Sequence, residues 1–358
     1  MESLVMTGPH TSFWAGKRVF LTGHTGFKGT WARLWLGRLG AEVTGYSLAP
    51  ETQPCLHDLV GEAGLAAQTI GDIRDGSRLS EALSASNPQI IIHMAAQPLV
   101  RRSYAEPVET FDVNVMGTIR LLEAARSLER LKAVLVVTTD KVYSNDESGR
   151  HFVETDPLGG HDPYSGSKAA AEIATASYRD SFYQPKRVRL ATARGGNVIG
   201  GGDFSEDRLV PDIVRAAAAG RTLSIRNPMA TRPWQHVLDC LSGYFDYAQA
   251  LYDETTDVGS LNFGPPPSEL QIPVQDVAAA IQRAMNLPQL WHDNSAGQPR
   301  EMQSLGLDPA LAEKTLAWRP RFSQEEAIDW TARWYDAWRR NTDARKLTLG
   351  QIDAYTKD

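Results

Sequence analysis

The sequence is poor in cysteine. Cys55 and Cys240 are the only two in 358 residues, too few for a disulfide framework or a cysteine-rich zinc site. No run of about 18 apolar residues is present, so a membrane-spanning helix is not expected. Residues 1–11 lack the basic-then-apolar pattern of a secretory signal. Positive charge is also scarce: 37 Lys and Arg against 43 Asp and Glu give a net charge of −6, the wrong sign for a surface that binds nucleic acid as a whole. There are no repeats, low-complexity tracts or heptads, and no His/Cys/Asp cluster has metal-ligand spacing. The expectation is a soluble, cytoplasmic protein in a reducing compartment, with no structural or catalytic metal, no membrane contact and no nucleic acid. What is plentiful is apolar residue, 42% of the chain, enough for a sizeable core. A length of 358 residues suggests about two domains.

Short apolar runs alternate with helix-period stretches through the first two-thirds of the chain. Val19–Leu21, Glu42–Tyr46, Ile90–His93, Val134–Thr138 and Val188–Thr192 read as strands. Gly29–Leu39, Arg78–Ser84, Pro107–Arg126 and Pro163–Phe182 read as helices between them. That alternation predicts an α/β, Rossmann-type, doubly wound parallel sheet covered on both faces. After Gly195 the pattern breaks into Gly- and Pro-punctuated segments, with helices expected at Pro211–Ala219, Val237–Leu251, Val274–Met285 and Gln324–Arg340. Trp330, Trp334 and Trp338 share one face of the last and read as core. The expected division is a dinucleotide-binding domain at 14–195 with a return segment near 236–265. A smaller C-terminal α/β substrate lobe spans 196–235 and 266–345, and 1–13 and 346–358 are tails.

Thr22-Gly23-His24-Thr25-Gly26-Phe27-Lys28-Gly29 follows the first strand and opens a helix. Gly23, Gly26 and Gly29 permit a tight turn and close backbone approach to a pyrophosphate, with the helix start supplying donors. No acid ends the second strand; Ser47 stands there and no arginine follows directly, which favours NAD over NADP. Asp72 could accept from an adenine amine with Ile73 packed on the ring. The small residues of Ala95-Ala96-Gln97 allow cofactor approach at the end of the next strand.

Tyr164 and Lys168 are spaced i, i+4 after a helix-opening Asp162-Pro163. A lysine beside a phenol favours phenolate, so Tyr164 could take the proton of an alcohol as its hydride leaves. Thr139-Asp140-Lys141 follows the fourth strand, where ligands of open α/β sheets bind. Thr139 could orient the alcohol. Asp140 exceeds what hydride transfer needs and suggests a second proton step, such as loss of water.

Together these motifs resemble the extended short-chain dehydrogenase/reductase family from about Trp14 to Arg340, and within it the nucleotide-sugar 4,6-dehydratases. The stretches that carry the subgroup are His93-Met-Ala-Ala-Gln-Pro-Leu-Val-Arg101, Thr139-Asp140-Lys141, Gly196-Asn-Val-Ile-Gly-Gly-Gly-Asp203 and, most distinctive, Arg226-Asn-Pro through Arg232-Pro-Trp-Gln-His-Val-Leu-Asp239. Phe204 stands where the family leads one to expect Trp.

The resemblance implies NAD held by Gly23, Thr25, Gly26, Phe27, Gly29, Asp72, Ile73, Ala95, Ala96, Gln97, Asn114, Tyr164 and Lys168. It implies CDP-glucose as substrate, met by Ser103, Asn197, Arg208, Arg226, Arg232 and Arg300; His236 is either a ligand or a core histidine. It implies catalysis by Thr139, Asp140, Lys141, Tyr164 and Lys168. Three roles stay open for Lys141: neutral base at C5, tuner of an Asp140 that serves both proton steps, or stabiliser of an enolate. A homodimer through Pro107–Arg126 and Pro163–Phe182, or a tetramer, is implied as well.

Overall fold

The structure, a computed structural model, describes residues 11–269, 272–288, 291–296 and 305–357. Seven strands make the central sheet: β1 (Arg18–Thr22), β2 (Glu42–Ser47), β3 (Ala67–Ile70), β4 (Ile90–His93), β5 (Ala133–Val137), β6 (Arg189–Gly195) and β7 (Ser260–Phe263). Their order is β3-β2-β1-β4-β5-β6-β7 and every pairing is parallel. This is the doubly wound Rossmann arrangement expected from the alternating pattern.

Neighbouring side chains of a strand point to opposite faces, and both faces are covered. Val19, Leu21, Ile90, Ile92, Leu135 and Val137 join one core with Trp31, Trp35 and the C-terminal helices. Phe20, Ile91, Val134 and Val136 join another with Leu79, Leu83, Leu121 and Leu122. β3 is absent from the strands read in the sequence. Its Ala-Gln-Thr-Ile run is an edge strand without a fully buried residue, so it needs no apolar run.

The remaining chain builds smaller α/β pieces over the carboxyl ends of the strands. Val198–Ile199 pairs with Gln235–His236, and Leu223–Ile225 with Trp291–Asp293. Trp334 is buried, while Trp330 and Trp338 pack half-buried against the same core.

Two expectations are corrected. Residues 346–356 do not form a tail: Ala344–Thr356 is a helix that buries Ile352 and Tyr355, the latter 5.4 Å from the Trp35 ring. The buried positions of that helix are Ala344, Thr348, Ile352 and Tyr355, half of them small or polar, so its apolar stripe is faint. The Pro107–Arg126 stretch is not one uniform helix. A π turn at Asp112–Met116 separates two α segments and shifts the side-chain phase at Asn114.

Candidate active site

The strand order reverses between β1 and β4, which opens a crevice beyond their carboxyl ends. Thr22 pins the opening: its hydroxyl accepts from the Met94 and Ala95 N–H groups, each at 3.1 Å. A cavity of about 1110 Å³ runs from there across to the loops of the C-terminal lobe.

At one end lies the glycine loop. Gly23 has φ of +75°, and a Cβ there would stand 2.8 Å from the Ala95 nitrogen; a Cβ on Gly29 would stand 2.0 Å from the Gly23 carbonyl oxygen. These two glycines close the turn. A Cβ on Gly26 would have only an ordinary 3.4 Å contact, so the protein itself does not forbid one. Gly26 begins the Phe27–Arg38 helix without a side-chain cap and lines the cavity. Thr25 bonds Ser47 at 2.8 Å and the Leu48 carbonyl at 2.9 Å. Ile73 lines the cavity against Gly117. Asp72 lines it too, but both its oxygens already accept from Arg74, at 2.6–3.0 Å.

At the other end lies the reactive cluster. The Pro163–Tyr178 helix starts on Asp162, which accepts from the Ser165 N–H at 2.9 Å and the Ser165 hydroxyl at 2.6 Å. That start fixes Tyr164 and, one turn on, Lys168. Tyr164 is hydrogen-bonded to Thr139, and the Thr139 hydroxyl donates to Asp140 Oδ1 at 2.9 Å. Asp140 is 1% exposed; its Oδ2 accepts from Asn197 at 2.9 Å and Lys141 Nζ is 3.8 Å from Oδ1. Gly196 makes room, since a Cβ there would overlap the Asp140 carboxylate.

Burial pushes the Tyr164 phenol up to about 12, while its hydrogen bond with Thr139 opposes the shift. The expected depression by Lys168 does not appear. Lys168 donates to the Val137 carbonyl at 2.9 Å, and burial followed by repulsion from Lys28 pushes its ammonium down to about 8 while Glu172 opposes.

Arg208, Arg226 and Arg232 line the C-terminal side of the cavity. Arg226 donates to Asp207 at 2.7 Å, and Arg208 lies 3.4 Å from Asp203. Two cations went unassigned in the sequence. Arg101 lines the cavity and pairs with Asp207 at 3.1 Å. Lys28, inside the glycine loop, also lines it, and burial lowers its pKa while Asp140 pulls it back. The signal for Lys28 was a charge between Phe27 and Gly29, where the loop packs on the sheet.

The cavity brings together Gly23, Thr25, Gly26, Phe27, Gly29, Asp72, Ile73, Ala95, Ala96, Gln97, Thr139, Asp140, Lys141, Tyr164, Lys168, Asn197, Arg208, Arg226 and Arg232. Three expected ligands lie elsewhere. Ser103 is fully buried and donates to the Val100 carbonyl at 2.6 Å. His236 is fully buried among Trp31, Phe322 and Trp330 and caps a helix through the Leu238 N–H; it is a core histidine, and burial pushes its pKa down to about 3. Asn114 is a brace behind the wall, bonded to both Gln97 backbone groups and to Ser167. Gln97 is itself held by Thr110 and Leu99. Arg300 lies outside the described residues. Among the described residues no group of three or more His, Cys, Asp or Glu could hold a metal ion, and no helix is long and apolar enough to cross a membrane.

Residues 20–331 match the GDP-mannose 4,6 dehydratase family. The chain is 43% identical to the CDP-glucose 4,6-dehydratase of Salmonella typhimurium, over 96% of this chain and 97% of that one. Among solved structures it is similar to the UDP-glucose 4-epimerase of Thermus thermophilus in complex with NAD, with TM-score 0.76, 25% identity and coverage of 89% and 98% of the two chains. The dTDP-glucose 4,6-dehydratase of Bacillus anthracis in complex with NAD has the same fold, with TM-score 0.73, 21% identity and coverage of 92% and 99%. The chain belongs to the GDP-mannose 4,6 dehydratase family of extended short-chain dehydrogenase/reductases.

Proposed function

We propose that this chain is a CDP-D-glucose 4,6-dehydratase that uses NAD and forms CDP-4-keto-6-deoxyglucose. The observation that carries the reading is the joining, in one cavity, of an uncapped glycine-loop helix start, a Tyr164–Lys168 pair, an Asp140 beyond the needs of hydride transfer, and a wall of arginines. The 43% identity to a CDP-glucose enzyme across nearly the whole chain supports the choice of nucleotide.

The residues present fit a dinucleotide. The helix start at Gly26 has donors without a built-in anion, and the cavity continues from it to Tyr164 and Lys168. Bound there, NAD would supply the hydride acceptor for C4 of the hexose and the hydride that C6 later takes up. Ser47 at the end of β2 is neutral, as fits a ribose with free hydroxyls. Arg208, Arg226 and Arg232 hold the substrate diphosphate, since guanidinium groups match phosphate oxygens in a planar fork. Arg101 joins them.

Thr139 orients the C4 hydroxyl and Tyr164 takes its proton. The resulting ketone acidifies C5. Asp140 in its protonated form gives its proton to the C6 hydroxyl, which leaves as water while the C5 proton passes to the base, and Asn197 holds the Asp140 carboxyl group in place. Lys141 lies at the cavity edge of Asp140, 18% exposed, and acts on the C5 side as base, tuner or enolate stabiliser. A proton returned to C5 completes the cycle without an external reductant.

A homodimer fits the exposed apolar side chains. Val108 is 82% and Ile173 60% exposed, and with Phe111, Met116 and Phe182 they lie on the two helical stretches expected to pair.

Incubation with CDP-, dTDP-, UDP- and GDP-glucose tests the reading. A 4-keto product from CDP-glucose, detected by its alkali-induced absorbance, is expected. An epimerised hexose with no keto product replaces the proposal with an epimerase.

A further inference from the structure

Behind Tyr164 and Lys168 lies a buried charge network that the proposed reaction does not use. Glu172 follows Lys168 by one helical turn and is 4% exposed. Its Oε1 accepts from the Thr138 hydroxyl at 2.5 Å and from Arg194 Nε at 3.0 Å. Its Oε2 accepts from the Thr192 hydroxyl at 2.7 Å and from Arg194 Nη2 at 2.8 Å. Arg194 continues the chain of contacts, donating to Tyr143 Oη at 2.8 Å, and Tyr143 donates to Asn262 at 2.6 Å.

Thr138 immediately precedes Thr139, and Tyr143 immediately follows the Asp140–Val142 turn. One carboxylate thus touches the helix that carries Tyr164 and Lys168 and both ends of the turn that carries Thr139, Asp140 and Lys141. It does so directly at one end and through Arg194 at the other. A well-packed apolar pair of similar volume would stabilise the fold as well as this buried ion pair. What the ion pair adds is a directional lock between two elements.

Among the described residues, Lys168 is faced by Glu172 from its own helix, Lys28 from the glycine loop and His93 from β4; the β5 carbonyl of Val137 takes one of its protons. His93 is kept neutral by burial, its pKa pushed down to about 3. Glu172 is the negative charge set against Lys28.

We propose that Glu172 is a positioning residue that locks the Tyr164–Lys168 helix to the Thr139–Lys141 turn and supplies the counter-charge to Lys168. Its kinetic consequence rests on the reaction proposed above; its electrostatic consequence does not.

The test follows the Lys168 titration by the ¹³Cε shift in lysine-labelled protein, assigned with Lys168→Met. Glu172→Gln is expected to move that titration to lower pH by about one unit or more, the size of losing one nearby opposite charge. The alkaline limb of kcat with CDP-glucose moves with it. Arg194→Gln disturbs the same network but keeps the carboxylate, and no downward shift is expected. Equal downward shifts in both variants, or none in Glu172→Gln, overturn the counter-charge. Thr138→Val cuts a single bond to Glu172 and changes no charge, so it keeps the positioning claim testable if Glu172→Gln does not fold. A fall in kcat of about tenfold with KM unchanged is expected from the lost alignment. An unchanged kcat overturns the lock. If the wild-type protein turns over no nucleotide sugar, the proposed reaction fails while the lysine titration still decides for or against Glu172.

Discussion

Two helices begin at the cavity, and they begin differently. The Phe27–Arg38 helix starts at Gly26 with no side-chain cap, whereas the Pro163–Tyr178 helix starts at Asp162, whose carboxylate takes both the N–H and the hydroxyl of Ser165. Every helix start leaves backbone donors without partners. At the second start the chain supplies its own anion and gains a fixed platform for Tyr164. At the first it supplies none, and the donors are left for an anion arriving from solution. One end is built for holding a side chain still, the other for binding.

The contrast can be broken in three places. The largest effect belongs to the platform's cargo. Tyr164→Phe is expected to lower kcat by about 10²- to 10⁴-fold, while a calorimetric titration finds dinucleotide affinity lowered far less. The next effect comes from copying the second helix start onto the first. Gly26→Asp puts a carboxylate where an incoming phosphate would sit, and a Cβ is tolerated there. Dinucleotide affinity should fall at least about tenfold, as for a lost charged hydrogen bond of ~1.5–3 kcal/mol. The unliganded protein should gain a few tenths of a kcal/mol in thermal unfolding, because Asp caps better than Gly. Equal affinity in both proteins would erase the distinction between the two helix starts. The smallest effect is Asp162→Ala, which should cost about 1 kcal/mol of stability. It should lower kcat less than tenfold and leave dinucleotide affinity as it was, as read from steady-state kinetics and the same titration.

The sequence revealed the parts of this arrangement whose chemistry requires a fixed spacing along the chain. β1, β4 and β5 were visible because strands buried on both faces must be apolar throughout. The glycine loop and Tyr164–Lys168 were visible because a turn and a helical repeat set their intervals. Membership of a motif does not say which way a side chain points, and that is where the reading failed. His236 lies four residues beyond Arg232 in one motif, yet Arg232 lines the cavity and His236 is buried behind it. Asn114 was displaced in phase by a π turn that no periodicity announces. Ser103 turned its hydroxyl onto its own helix. Lys28 and Arg101 were in view but had no role assigned, because only the fold brings Arg101 to Asp207 and buries Lys28 at the cavity.

The helix at Ala344–Thr356 has a consequence for biosynthesis. Tyr355 meets the Trp35 ring and donates to Asp239 at 2.9 Å, so a side chain made early is covered by one made more than 300 positions later. β7 likewise joins the sheet long after β1 to β6 have been translated. On the ribosome the nascent first half has its strands but neither its last strand nor the lid over Trp35, and it carries exposed apolar surface until residues 344–356 emerge. Transiently exposed apolar surface of this kind makes a nascent chain prone to aggregation during its synthesis. Its vulnerable interval is set by translation speed across the second half and not by the folding rate of the first.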